Sequence, residues 1–118
     1  MTSRWGVIFD MDGVLVDSYT AHFQSWLETA KLFGQTLTEE QFAVTFGQTS
    51  PSIIRQLWGP SALTEPQMVE FDRIKEARYR EIVHEHLVIM PGVRELITAL
   101  KTAGADLAVG SSGPPENV

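Results

Sequence analysis

Val7-Ile8-Phe9-Asp10-Met11-Asp12-Gly13 is the stretch that decides the fold, because an apolar run ends abruptly in a pair of carboxylates and a glycine. A continuous apolar run is typical of a buried parallel strand. Ligands of open α/β sheets bind beyond the carboxyl ends of such strands. The stretch therefore predicts a strand over residues 5–10 and a candidate site at Asp10 and Asp12.

The pair Asp10 and Asp12 has a chemistry that suits phosphoryl transfer. Alternate side chains of a strand share a face, so both carboxylates would point the same way if the extended backbone continued past Asp10. Adjacent carboxylates repel unless one is protonated or a cation lies between them, and oxygen ligands of this kind suit Mg²⁺. Asp10 is then a candidate nucleophile, and Asp12 a candidate general acid and base.

Other interpretations of Asp-x-Asp-Gly compete with this one. An EF-hand loop is excluded, since the glycine has the wrong offset, Ala21 stands where the bidentate glutamate belongs and no helix precedes the loop. A solvated turn stays open, because turns favour Asp and Gly. A purely structural metal site also stays open at this stage.

Composition narrows the classes of partner. The chain has 118 residues, of which 43% are hydrophobic, and this is enough for one small globular domain. A formal net charge of -6 and the lack of any basic run argue against nucleic acid and anionic membranes as partners. The absence of cysteine excludes disulfides and thiol chemistry. The N-terminus has neither the length nor the flanks of a signal peptide or membrane span, so we expect a cytoplasmic protein.

Helical signals fill the middle of the chain. Apolar residues at helical spacing predict a helix over residues 19–33. Three further helices are predicted from cap residues at Thr38, Ser50 and Thr64, the last of them ending near residue 86. No strand signal interrupts this block. We therefore expect an inserted helical domain over residues 19–86.

The α/β pattern returns after residue 87. A helix with Val93, Leu96, Ile97 and Leu100 on one face is predicted to end at a Gly104 C-cap, and a second buried strand is predicted over residues 105–110. Strand, helix and strand form a crossover that is interrupted by the helical block. The predicted fold class is α/β, with residues 1–18 and 87–118 forming an incomplete parallel-sheet core.

The second strand ends in Gly110-Ser111-Ser112-Gly113, a loop with anion-binding chemistry. Ser111 is a candidate phosphate ligand through its hydroxyl, and Ser112 and Gly113 offer backbone N–H donors. The prolines that follow suit the first turn of a helix. An ordinary turn with an N-cap is the alternative interpretation.

The motif from Asp10 to Ser18 and the apolar strand leading to Ser111 together resemble the first and second motifs of the haloacid dehalogenase superfamily. The helical insertion resembles that superfamily's four-helix cap, and Pro91-Gly92 resembles the point where its Rossmannoid core resumes. The resemblance implies a Mg²⁺-dependent phosphatase that forms an aspartyl-phosphate on Asp10. It further implies that Asp12 is the general acid and base, that Ser111 holds the phosphoryl group, and that Mg²⁺ binds the side chain of Asp10 and the main-chain carbonyl of Asp12.

Within the superfamily the chain resembles β-phosphoglucomutase and its sugar-phosphatase relatives. The residues that carry this likeness are an Asp17-Ser18 hinge followed by His22-Phe23 and Trp26, and Lys75 followed by Tyr79. This likeness implies substrate contacts from His22 and Lys75, for which packing and snorkelling are the alternative roles. It also implies contacts from a specificity loop, Gly47-Gln48-Thr49-Ser50. A mutase uses an arginine in this loop to hold a second phosphate, and Ser50 replaces it here, with Arg55 one turn further on. We therefore expect a phosphatase acting on a small phosphorylated metabolite such as a sugar phosphate, ahead of a phosphomutase.

The resemblance also implies a later lysine and later carboxylates, which lie beyond the second motif. None of the lysines here stands in such a position. We therefore expect these residues to be the N-terminal part of a longer polypeptide, whose C-terminal half, or a partner chain, completes the core. The 118 residues alone are expected to be inactive. The rival hypothesis is a non-catalytic fragment or binding module that keeps the fold without the chemistry.

Overall fold

The structure, a computed structural model, describes residues 3–118. The chain divides into two compact units. One, termed the sheet unit, comprises residues 3–18 and Leu87–Val118. The other, termed the helical unit, comprises Tyr19–His86. None of the helices within the described range is both long and apolar enough to cross a membrane.

The sheet unit is built on two parallel strands. Strand β1 spans Gly6–Phe9 and strand β2 spans Asp106–Val109. Their register runs from Gly6 opposite Asp106 to Phe9 opposite Val109, which brings the carboxyl ends of the strands together. Both strands lie where the sequence predicts them, each shorter than predicted by a residue at either end. The prediction that they are buried is wrong for the described residues, because every residue of the two strands is exposed or half-buried.

Five α-helices accompany the strands within residues 3–118, and most of them begin where the sequence predicts. Their bounds are α1 Tyr19–Leu32, α2 Glu39–Thr45, α3 Ser50–Trp58, α4 Glu65–Glu85 and α5 Val93–Thr102. The first four form the helical unit and α5 belongs to the sheet unit. A short 3₁₀ helix over Pro115–Asn117 follows β2, as the two prolines indicate.

Capping explains several of these bounds. Thr38 and Thr64 both form the predicted capping box with the glutamine three residues later. The prediction that Ser50 caps α3 is wrong, because Thr49 is the N-cap residue and Ser50 is the first helical residue. The Gly104 C-cap is likewise off by one residue. Ala103 is the C-cap, and Gly104 follows it with φ of 85°, a value that glycine adopts without strain.

An aromatic core holds the helical unit together. The ring of Phe71 is fully buried and lies 4.7 Å from Trp26, 5.3 Å from Phe33 and 5.7 Å from Trp58, measured between centroids. Other buried members of the cluster are Ala30, Leu37, Phe42, Ile53, Ile54, Leu63 and Met68. Because α1 and α4 both contribute to this core, their facing residues are held in a fixed register.

The sheet unit, in contrast, leaves much of its apolar surface exposed. Ile8 on β1 is 78% exposed and Val109 on β2 is 47% exposed. Helix α5 has no buried residue, although it is strongly amphipathic in sequence. Two strands and one helix therefore provide too few layers to cover both faces of the sheet.

Candidate active site

A tight loop follows β1 and carries the first motif. The carbonyl oxygen of Met11 accepts hydrogen bonds from the N–H groups of Val14, Leu15 and Val16, at 3.3, 3.0 and 3.2 Å. Gly13 has φ of 75°, which explains why the motif needs glycine at this turn. Met11 is buried and anchors the loop. The two aspartates thus lie on a folded loop beyond the strand end.

Asp10 lies directly after the last residue of β1, and its side chain is exposed. Its Oδ1 accepts a hydrogen bond from the backbone N–H of Met11 at 2.8 Å. This bond fixes one carboxylate oxygen and orients the other. An exposed, oriented carboxylate at a strand end is compatible with the predicted role of nucleophile.

Asp12 is held by a side chain that the sequence did not assign to it. The hydroxyl of Ser18 donates to Oδ1 of Asp12 at 2.6 Å, and Ser18 is fully buried. A hydrogen bond of this length from a hydroxyl to a carboxylate is a strong one. Asp12 is therefore fixed in orientation by a group six residues further along the chain.

The segment that leaves the motif pairs with the segment that returns to the sheet unit. The N–H of Asp17 donates to the carbonyl of Val88 at 2.7 Å, and the N–H of Met90 donates to the carbonyl of Leu15 at 3.0 Å. Val16 and Ile89 form an antiparallel bridge between these bonds. The two segments that flank the helical insertion are thereby hydrogen-bonded to each other.

The loop after β2 lies beside the loop after β1. The N–H of Gly110 donates to the carbonyl of Phe9 at 2.8 Å, which extends the strand pairing to the residue before Ser111. Ser111 is half-buried, and its Oγ accepts a hydrogen bond from the N–H of Gly113 at 3.1 Å. Ser112 is exposed. Asp10 and the predicted phosphate-binding loop therefore both lie beyond the carboxyl ends of the two strands.

In the helical unit, His22 and Lys75 lie together. The Nζ atom of Lys75 is 3.0 Å from Nδ1 of His22 and donates to Glu76 at 2.7 Å. Lys75 is only 4% exposed, which is unusual for a lysine. The ring of His22 stacks on that of Tyr79 at 3.9 Å with an interplanar angle of 6°.

The loop Gly47-Gln48-Thr49-Ser50 leads into α3, and its polar side chains make contacts within the helical unit. The hydroxyl of Ser50 donates to Asp72 of α4 at 2.5 Å, and Ser52 donates to the side chain of Gln48 at 3.0 Å. Gly47 and Thr49 are exposed. The side chain of Arg55 is bound to Glu65 at 3.3 Å in an exposed ion pair.

Comparisons with known proteins bear on the family and the fold. The profile of the haloacid dehalogenase-like hydrolases matches residues 7–118, which includes both strand-end loops. The chain belongs to this family. Among curated relatives it is 30% identical to a phosphorylated carbohydrates phosphatase of Thermotoga maritima, covering 92% of the chain and 50% of the relative. It is also 30% identical to hexitol phosphatase A of Escherichia coli, covering 92% of the chain and 48% of the relative.

A solved structure extends the comparison to the fold. CbbY of Rhodobacter sphaeroides in complex with phosphate superposes with a TM-score of 0.80 at 25% identity, covering 98% of this chain and 54% of that one. The chain spans about half the length of the curated relatives it matches. The predicted family and the α/β fold class are thus confirmed.

The family implies Mg²⁺, and the residues of this chain fit part of its binding site. Asp10 and Asp12 supply oxygen donors on one short loop, and Mg²⁺ commonly binds through one or two carboxylates with water and substrate phosphate completing the shell. Within residues 3–118 no group of three or more His, Asp or Glu side chains is arranged to hold a metal. Asp10 and Asp12 fit as a partial set of ligands.

Sequence reasoning missed the carboxylates that bind the polar residues of the helical unit. Asp72 and Glu76 bind Ser50 and Lys75, and neither was singled out. Their signal is the spacing on α4, where Asp72, Glu76 and Tyr79 recur every three or four residues and share one face. Ser18 was predicted to be part of a hinge. Apart from the separation of six residues, nothing in the sequence indicates its hydrogen bond to Asp12.

Proposed function

We propose that the protein containing these residues is a Mg²⁺-dependent phosphatase that hydrolyses the phosphate ester of a small phosphorylated carbohydrate through an aspartyl-phosphate. The observation that carries the proposal is the exposed Asp10 at the end of β1, followed by an Asp12 that Ser18 holds in place. Two relatives named as phosphatases of phosphorylated carbohydrates and of hexitols support the substrate class.

The proposed reaction has two steps. A carboxylate oxygen of Asp10 attacks the phosphorus, the bond from phosphorus to the ester oxygen breaks, and Asp12 in its acid form gives a proton to the departing alcohol. Water then attacks the phosphorus of the aspartyl-phosphate, Asp12 takes a proton from that water, and inorganic phosphate leaves while Asp10 is regenerated. Asp12 changes protonation state in both steps, so its orientation by Ser18 matters twice.

The remaining site residues assist this chemistry. When bound, Mg²⁺ would offset the negative charges of the phosphate and of Asp10, held by the side chain of Asp10 and the main-chain carbonyl of Asp12. Ser111, with backbone donors of Ser112 and Gly113, is proposed to hold the phosphoryl oxygens. Residues 19–86 are proposed to act as a cap that supplies substrate contacts. Those contacts are assigned to His22, Lys75 and Gly47-Gln48-Thr49-Ser50.

A contact in the helical unit favours a phosphatase over a phosphomutase. The hydroxyl of Ser50 is engaged by the carboxylate of Asp72, and the nearby Arg55 is paired with Glu65. A negative charge behind the loop would repel a second phosphate group. A substrate with one phosphate and neutral hydroxyl groups avoids this repulsion.

The proposal includes residues outside these 118. The later lysine and carboxylates that the family resemblance implies would come from further residues of the same protein or from a partner chain. Either would also cover apolar side chains such as Ile8, which is 78% exposed in the sheet unit. The absence of cysteine supports a reducing compartment, and we propose the cytoplasm.

Product analysis tests the proposed reaction. The full-length protein is incubated with Mg²⁺, β-glucose 1-phosphate and a trace of the corresponding bisphosphate. The proposal predicts free glucose and inorganic phosphate, and a panel of hexitol and sugar phosphates should extend the substrate range. Glucose 6-phosphate without free phosphate would establish a mutase instead, and no product from any ester would favour a non-catalytic module.

A further inference from the structure

The end of the loop Gly47-Gln48-Thr49-Ser50 is held by a short hydrogen bond to α4. The hydroxyl of Ser50 donates to Oδ1 of Asp72 at 2.5 Å, and both residues are half-buried. This length lies at the short end of the range for a hydroxyl that donates to a carboxylate, where such bonds are strong. The bond therefore fixes the position of the Ser50 oxygen and the direction in which its hydrogen points.

The start of the same loop is anchored as well. Phe46 directly precedes it, and the ring of Phe46 lies 5.2 Å from that of Tyr19 between centroids. The N–H of Gln48 donates to the carbonyl of Thr45 at 3.1 Å. With both ends held, the loop offers a preformed arrangement of polar groups rather than one that each ligand must organise.

The bond to Asp72 determines which partners the Ser50 oxygen can still take. A serine hydroxyl has one hydrogen and two lone pairs, and an ionised carboxylate can only accept. The hydrogen of Ser50 is therefore committed to Asp72. A further partner of this oxygen must be a donor, such as a hydroxyl group of a carbohydrate, because the anionic oxygen of a phosphate or carboxylate has no hydrogen to offer.

The charges around the loop act in the same direction. The cations closest in sequence to Ser50 and Asp72 are paired with other carboxylates. These pairs are Arg55 with Glu65, Arg73 with Glu70 and Lys75 with Glu76. The four residues of the loop are themselves uncharged. The carboxylate of Asp72 therefore places a negative charge directly behind the Ser50 oxygen, where it repels an anionic group.

We propose that Asp72 is a positioning residue that fixes Ser50 as a hydrogen-bond acceptor, so that the loop selects substrates whose carbohydrate end is a neutral hydroxyl. Phosphate monoesters of polyols and simple sugars satisfy this requirement. Esters with a carboxylate or a second phosphate at that end do not. The selection deepens and rests on the proposed phosphatase function, in which the loop contacts the substrate, whereas the hydrogen bond itself does not depend on that function.

Two phosphate esters that differ only at one end test the selection. Glucitol 6-phosphate has a CH₂OH group at C1, and 6-phosphogluconate has a carboxylate there. For the full-length protein with Mg²⁺, kcat/KM for the glucitol ester should exceed that for the gluconate ester about tenfold or more, since a lost hydrogen bond at a charged group is worth at least this factor. Equal values, or a preference for 6-phosphogluconate, would overturn the proposal.

Variants show whether Asp72 acts through Ser50. In Asp72→Ala the Ser50 hydroxyl is free to donate to an anion, and the ratio of the two kcat/KM values should fall about tenfold. Glu70→Ala is the matched control, because it removes an exposed carboxylate from the same helix, and it should leave the ratio unchanged. An unchanged ratio in Asp72→Ala would refute the role of Asp72.

The same replacement in a Ser50→Ala background separates positioning from charge. There Asp72→Ala should change the ratio by less than about threefold, because the hydroxyl that it would release is missing. A full effect of Asp72→Ala in this background would show that Asp72 acts by its charge alone and would refute the positioning role.

Two further measurements do not need turnover. Urea unfolding of Ser50→Ala, Asp72→Ala and the double variant should show a coupling of about tenfold in the equilibrium constant of unfolding, and additive effects would overturn the hydrogen bond. Calorimetry with the full-length Asp10→Asn protein should show tighter binding of glucitol 6-phosphate than of 6-phosphogluconate. If no ester is hydrolysed, the proposed function is refuted, and the affinities and the unfolding data still decide the role of Asp72.

Discussion

The fully buried hydroxyl of Ser18 donates to the carboxylate of Asp12 across 2.6 Å. Ser18 is also the last residue of the sheet unit before the helical insertion. Asp12, the proposed general acid and base, is therefore oriented by Ser18, the residue directly before the helical insertion.

Replacing Ser18 by alanine should slow catalysis while leaving substrate binding nearly intact. Without the hydroxyl, Asp12 loses the bond that orients it, and we expect kcat to fall about tenfold with KM changed by less than about twofold. Steady-state kinetics of the full-length protein measure this split. The exposed Thr102→Ala variant on α5 is the matched control, since it also removes one hydroxyl. A rise in KM with unchanged kcat would place Ser18 in substrate binding instead.

The ion pair between Lys75 and Glu76 should behave as a buried one. Lys75→Met removes the charge partner of a nearly buried carboxylate and is expected to cost about 3 kcal/mol of the free energy of unfolding. Adding Glu76→Leu should recover most of that loss, because the buried charge goes with it. Urea unfolding of the three proteins gives the values.

The control for this experiment is Arg73→Met, which breaks an exposed pair with Glu70 on the same helix. Its unfolding midpoint should stay close to that of the wild-type protein, since exposed pairs contribute little. A double variant less stable than Lys75→Met would show that Glu76 is held mainly by other groups.

The stability of the helical unit should depend on pH through Glu28. Arg78 donates to the Glu28 carboxylate at 2.6 Å and lowers its pKa, with opposing desolvation and smaller contributions from Gln24 and Lys31. Because the pKa of Glu28 is lower in the folded protein than in the unfolded chain, the pair stabilises the folded protein at pH values above the unfolded-state pKa of glutamate, about 4.3. This stabilisation is lost as the pH falls through the folded-state value.

Glu28→Gln tests that dependence. At pH 7 the variant should unfold at a slightly lower urea concentration than the wild-type protein, because the pair is partly exposed and screened. The difference should close as the pH falls below about 4.3, where the unfolded carboxyl becomes protonated and the wild type begins to lose its advantage. A gap that widens on acidification would contradict the assignment.

Local signals in the sequence predicted the elements of this fold well. Cap boxes at Thr38 and Thr64 and the apolar run before Asp10 act over a few residues, so one sequence suffices to read them. Ser50 shows where this fails. Serine before proline is a good N-cap, yet its hydroxyl binds Asp72, which is 22 residues away. Tertiary contacts of this kind override a local preference and leave no local trace.

The candidate site was predictable to a similar extent. Asp10 and Asp12 follow from their place after a strand, and Ser111 follows from the parallel neighbour. The partners that orient side chains were not predictable. Ser18 reaches Asp12 through a folded loop, and Lys75 reaches His22 from a different helix. The first pair depends on the path of that loop and the second on the packing of α1 against α4, and periodicity alone specifies neither.

The covalent role of Asp10 is the central claim, and trapping the intermediate tests it most directly. The full-length protein is mixed with substrate and Mg²⁺, quenched in acid within the first turnover, digested and examined by mass spectrometry. We predict one added phosphoryl group on the peptide that contains Asp10, and neither that adduct nor phosphate release in Asp10→Asn. Rapid phosphate release with Asp10 unmodified, or wild-type turnover by Asp10→Asn, would contradict the account.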